Sequence, residues 1–69
     1  MPEMQEVYSN SVHSIGYGDG ELHVRWARTG RISVYKGVPP DLANQIINAP
    51  SVGSALKNSI QGTFEHRYI

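Results

Sequence analysis

The hydrophobic pattern of this chain changes period once, at Val38-Pro39-Pro40, and that change limits what it can fold into. Before the break, apolar residues alternate with polar ones. Val12-His13-Ser14-Ile15-Gly16-Tyr17 reads as a short strand closed by the turn signal Gly18-Asp19-Gly20. Leu22-His23-Val24-Arg25-Trp26-Ala27 has the period of a half-buried strand, Thr29-Gly30 reads as a tight turn, and Ile32-Ser33-Val34-Tyr35 is a third strand.

After the break the spacing becomes helical. Pro40 suits a first helical turn, where its missing N–H costs nothing. Leu42, Ala43, Ile46 and Ile47 form one apolar face, and Asn48-Ala49-Pro50 stops that helix. Ser51 is a good N-cap for a second short helix with Val52, Leu56 and Ile60 at i, i+4 and i+8, and Gly62 suits its end. Phe64 to Ile69 either pairs as a short C-terminal strand or packs on the helices. The expected fold class is therefore α+β: a three-stranded antiparallel β-meander followed by two short helices packed on one face. Residues 9–69 form a single domain, and residues 1–8 are set apart as a flexible N-terminal segment.

A chain of 69 residues buries only about 60% of its unfolded surface, so self-association is an available source of stability. Without cysteine it has no disulfide and no thiolate metal site. If the Thr29-Gly30 turn pairs Arg28 with Arg31, Trp26 faces Ser33 and Val24 faces Tyr35. Leu22, Val24, Trp26 and Tyr35 then lie under the helices. His23, Arg25, Ala27, Ile32 and Val34 lie on the other, nominally wet face, and the expectation is a homo-oligomer with Ile32, Val34 and His23 at its interface.

Charge is distributed unevenly although the net charge is zero. Residues 1–21 carry only acids, whereas residues 22–40 carry Arg25, Arg28, Arg31 and Lys36 and no acid. Such a chain is not a generic polyanion binder, because bulk nucleic-acid affinity needs many neutralised phosphates. It can offer a local basic site to a compact anion. Ser51-Val52-Gly53-Ser54 stands at a helix start, where free N–H groups and the dipole attract anions, and Lys57 follows one turn after Gly53. Ser51, Gly53, Ser54 and Lys57, with Arg25 or Arg28, are the candidate ligand residues. Tyr17 and Tyr68, the aromatics expected to be accessible, complete the candidate ligand-binding set. His13, His23 and His66 lie on three segments without metal-ligand spacing, and no GxSxG elbow occurs, so neither an enzyme nor a metal or cofactor is implied. No apolar run nears 18 residues and no signal-peptide pattern is present, which reads as a cytoplasmic protein without a membrane partner.

The order of short motifs resembles the KTSC domain, a small bacterial and phage family named for its occurrence at the end of some lysyl-tRNA synthetases. The resemblance runs through Ser9-Asn10-Ser11-Val12-His13-Ser14-Ile15-Gly16-Tyr17, Leu22-His23-Val24-Arg25-Trp26 and Tyr35-Lys36-Gly37-Val38-Pro39. It continues through Ser51-Val52-Gly53 and Asn58-Ser59-Ile60-Gln61-Gly62-Thr63-Phe64, in the family's order. Ser33 replaces the first residue of the family's Tyr-x-Tyr, Trp26 stands for a usual phenylalanine, and Ala55 and Leu56 replace bulky aromatics. Lys57 stands where asparagine is common. The changes at Ser33 and Ala55 remove volume. The resemblance implies RNA binding through the synthetase association. The leading expectation is instead a non-catalytic binder of a small nucleotide or other phosphorylated ligand, such as a phage protein sequestering a host nucleotide signal. An RNA-binding module and a protein–protein assembly domain are the alternatives.

Overall fold

The computed structural model describes residues 2–69. Its elements are β1 (Gln5–Glu6), β2 (Val12–Gly18), β3 (Glu21–Trp26), β4 (Ile32–Lys36), α1 (Pro40–Ile47), α2 (Val52–Ser59) and β5 (Glu65–Tyr68). The strands form one sheet in the order β1-β2-β3-β4-β5, each antiparallel to its neighbour. The fold is α+β, with the expected meander at its centre and Glu65–Tyr68 added to β4 as the C-terminal strand. No described helix is long and apolar enough to cross a membrane.

Between β2 and β3 the chain turns on Asp19 and Gly20, at φ 53° and 75°. Two successive positive φ values are what a two-residue hairpin of matching twist requires, and Asp-Gly meets that requirement. The next hairpin departs from expectation. Leu22 pairs with Tyr35, Val24 with Ser33 and Arg25 with Ile32, two residues away from the expected register. The loop is longer than a Thr29-Gly30 turn: the Trp26 N–H donates to the Arg31 carbonyl and the Gly30 N–H to the Trp26 carbonyl, both at 2.9 Å. Gly30 takes φ 73° at the end of this wider loop. A slip of two keeps every side chain on its own face, because the side-chain period is also two.

One sheet face carries Val12, Ile15, Leu22, Val24 and Tyr35 against Ala43 and Ile46 of α1, Val52 and Leu56 of α2, and Val38 and Ile60 beside them. This is the core, and both helices contribute the faces their spacing indicated. Asn48 closes α1 by donating its side-chain N–H to the Asn44 carbonyl. Ser51 caps α2 by accepting the Ser54 N–H.

The opposite face is wet only in part: Arg25 and Ala27 are exposed. Val34 is fully buried and His23 is 4% exposed, while Ile32 is half-buried. The chain ahead of β1 folds back across this face. A Cβ on Gly16, the partner of His23 in the ladder, would lie 2.5 Å from the Glu3 carbonyl oxygen and 2.9 Å from Met4 Sδ. One on Gly18 would lie 3.3 Å from Pro2 Cβ. Residues 1–8 were expected to stand apart, yet Gln5–Glu6 pairs with Ile15 and Ser14 as an edge strand. The apolar surface that suggested an interface at Val34 and His23 is thus covered within the single chain.

Candidate functional site

Between the loop that precedes β2 and the start of α2 runs an open groove of about 450 Å³. Ser9 organises its loop wall. The Ser9 hydroxyl accepts the N–H groups of Ser11 and Val12, each at 3.2 Å, which turns the chain into β2. The other wall is the first turn of α2. There the Ser51 hydroxyl donates to Ser54 Oγ at 3.1 Å and accepts the Ser54 N–H at 3.4 Å.

Gly53 sits where the two walls meet. A Cβ there would lie 2.7 Å from Ser11 Oγ and 3.5 Å from Ser9 Oγ. The glycine therefore admits the protein's own hydroxyl, where the sequence had suggested close approach by a ligand oxygen. Lys57 stands one turn further along α2, exposed, and borders the same groove. Tyr8, with its side chain fully open to solvent, forms the rim. None of the bordering residues is an acid or a histidine.

Ser51, Gly53, Ser54 and Lys57 thus converge as expected. Arg28 lies in an adjoining hollow that shares Asn10 and Ser11 with the groove. Three expected residues lie elsewhere. Arg25 pairs with Ile32 in the ladder and faces away from the helices. The Tyr17 hydroxyl donates to the Val38 carbonyl and ties β2 to the segment entering α1. Tyr68 belongs to β5, where the Arg31 guanidinium lies 3.7 Å from its ring centre. Tyr8, Ser9 and Ser11 are the residues that sequence reasoning missed. A Ser-x-Ser ahead of a strand, whose first hydroxyl caps the backbone, was the available signal.

A second hollow, on the sheet face away from the helices, is bordered by Pro2, His23, Glu21 and Arg67. Arg67 and Glu21 form an exposed ion pair at 3.2 Å. His23 Nδ1 is the one buried side-chain polar atom among the described residues that lacks a hydrogen-bond partner.

The crystal structure of a KTSC domain protein from Yersinia pestis superposes on this fold with a TM-score of 0.91 and 31% sequence identity, over 100% of this chain and 99% of that one. No curated protein is significantly similar to the present chain. The sequence profile of the KTSC domain matches residues 8–64, from the rim tyrosine of the groove to the residue before β5. The motif order, the matched profile and the shared architecture agree, and the chain belongs to the KTSC domain family.

Proposed function

We propose that the protein binds a small phosphorylated ligand of the nucleotide class in the groove between residues 8–11 and the start of α2, without transforming it. The observation that carries this reading is convergence. Four serine hydroxyls, the N-terminal end of α2 and the Lys57 ammonium meet in one open groove that no carboxylate borders, although Glu6 lines an adjoining hollow that shares Tyr8 and Ser9. Helix N-termini present N–H donors and a positive dipole end to an anion, and an ammonium adds a full charge. Among the described residues, the N–H groups of Val52 and Gly53 have no acceptor within the chain.

The same inventory favours holding over chemistry. Hydroxyls, amide donors and an ammonium stabilise a phosphate, whereas proton transfer at neutral pH is usually assigned to histidine or a carboxylate. One or two phosphates need only one or two compensating charges, which fits a chain of zero net charge. The exposed Tyr8 ring offers a flat surface for a base beside the phosphate position.

Isothermal titration with mono-, di- and cyclic nucleotides tests the proposal, with Lys57→Ala as the variant. A charge-assisted contact contributes about 1.5–3 kcal/mol, so Lys57→Ala is expected to weaken binding roughly 10- to 150-fold. Absence of heat with every nucleotide, or equal affinity in parent and variant, overturns it.

A further inference from the structure

A third hollow, of about 330 Å³, opens where β3, β4 and β5 meet the chain leaving α2. Its walls are aromatic: Trp26, Tyr35, His66 and Tyr68. The His66 ring centre lies 5.0 Å from that of Tyr35 and 4.7 Å from that of Tyr68, the latter pair edge-to-face at 84°. Ser33, only 1% exposed, forms the floor between them, and its small side chain leaves the space that a larger residue would fill. The Trp26 indole N–H donates to Ser33 Oγ at 2.7 Å and holds the indole at the edge of the hollow. Gln61, exposed at the mouth, adds an amide.

We infer that this recess receives the flat face of an uncharged heteroaromatic ring, with a nucleobase as the class of ligand. π-Faces stack on any base, and the Gln61 amide supplies both a donor and an acceptor for a ring edge. Cationic guests are the usual alternative for an aromatic enclosure. Here the charge has the wrong sign for them. Arg31 already occupies one face of Tyr68, and no carboxylate borders the recess. Glu65 alternates with His66 along β5 and therefore points to the other side of the sheet.

The inference does not depend on the phosphate groove, and free nucleosides separate the two because they carry no phosphate. The chain has a single tryptophan, so one indole N–H resonance reports on the recess. Titration of the labelled protein with adenosine, guanosine, cytidine and uridine is expected to shift that resonance together with those of His66 and Tyr68. Tyr68→Ala is expected to weaken the strongest of these complexes roughly 5- to 150-fold, the factor that loss of one base–aromatic stack represents. Lys57→Ala is expected to leave it unchanged. Gln61→Ala, at an exposed position, keeps the test open if the Tyr68 variant unfolds, and its expected effect is a smaller loss.

Indole shifts absent at millimolar nucleoside overturn the inference even if nucleotides bind in the groove. So do shifts confined to residues 8–11 and 51–54, or a response to choline equal to that to nucleosides. Nucleoside binding in the recess with no nucleotide response in the groove sustains the inference and removes the groove reading.

Discussion

A methyl group on Gly53 would lie 2.7 Å from the hydroxyl oxygen of Ser11, so the first turn of α2 and the loop before β2 touch through an atom the glycine lacks. Alanine at position 53 gains helix propensity of up to about 1 kcal/mol, while the added methyl must push Ser11 aside. Ser11 is exposed and can rotate its hydroxyl away. Gly53→Ala is therefore expected to change stability by no more than about 1 kcal/mol while reshaping the groove. Its signature is a loss of nucleotide affinity with the melting temperature moved by no more than about 4–8 °C, and Ser11→Ala in the same chain should restore part of that affinity.

Gly16 presents a harder obstacle. The added Cβ would meet backbone, the Glu3 carbonyl oxygen at 2.5 Å, which no rotamer change relieves. Gly16→Ala is expected to lift the segment ahead of β1 off the sheet and cost about 1–3 kcal/mol by denaturant unfolding. Faster amide exchange should appear at Val7, whose N–H is bonded to the His13 carbonyl. Unchanged exchange there would show that the segment does not lean on Gly16.

Val34 and Ile32 share a face but not a fate. Val34→Glu places an unpaired carboxylate at a fully buried site and is expected to cost about 4 kcal/mol or more, most of what a domain this small has. Ile32→Glu, at a half-buried position, is expected to remain folded. Circular dichroism melts of both variants decide the matter. A folded Val34→Glu protein with half the parent's mass in solution would instead indicate an interface between copies.

Burial raises the Tyr35 phenol above its ordinary value of 10.0, an effect offset in part by the polar side chains of Gln61 and Ser33 nearby and reinforced by Tyr68. A group whose value is higher folded than unfolded contributes stability that is complete below the unfolded value. That contribution is lost as the pH rises through the folded one. The melting temperature is therefore expected to decline above pH 10, and Tyr35→Phe should flatten that decline. Parallel alkaline profiles for the two proteins would refute the assignment.

The meander and both helices were legible because β3 and β4 alternate, a strong turn signal closes β2, and each helix repeats its apolar residues. The irregularity between Val12 and Ser14, which sets Val12 and Ile15 three apart, was not legible. The β3–β4 register was not. Thr29-Gly30 has the residues of a two-residue turn, but Trp26 and Arg31 close a loop of four, and local composition does not count loop length. The partly buried second face was missed for a related reason. Gly16 and Gly18, two residues apart in one strand, mark a face stripped of side chains for a close neighbour, yet nothing local names that neighbour as Pro2–Met4. Half of the groove was visible at Ser51–Lys57. Its other wall, Tyr8–Ser11, comes from the far end of the chain, and only the fold brings it there.

The strand order of the sheet repeats the order of the sequence, and this has a kinetic consequence. The meander closes through short local loops, whereas β5 must wait for two helices to dock before it can pair with β4, and late, long-range pairings also tend to be the first to open. His66 and Tyr68 ride on that last strand. Fraying of β5 would unstack one wall of the aromatic recess while leaving the core and the serine-lined groove in place. A guest in the recess would then act as a latch on the C-terminal strand, visible as slowed amide exchange of Ile69, whose N–H is bonded to the Ile32 carbonyl at 3.0 Å.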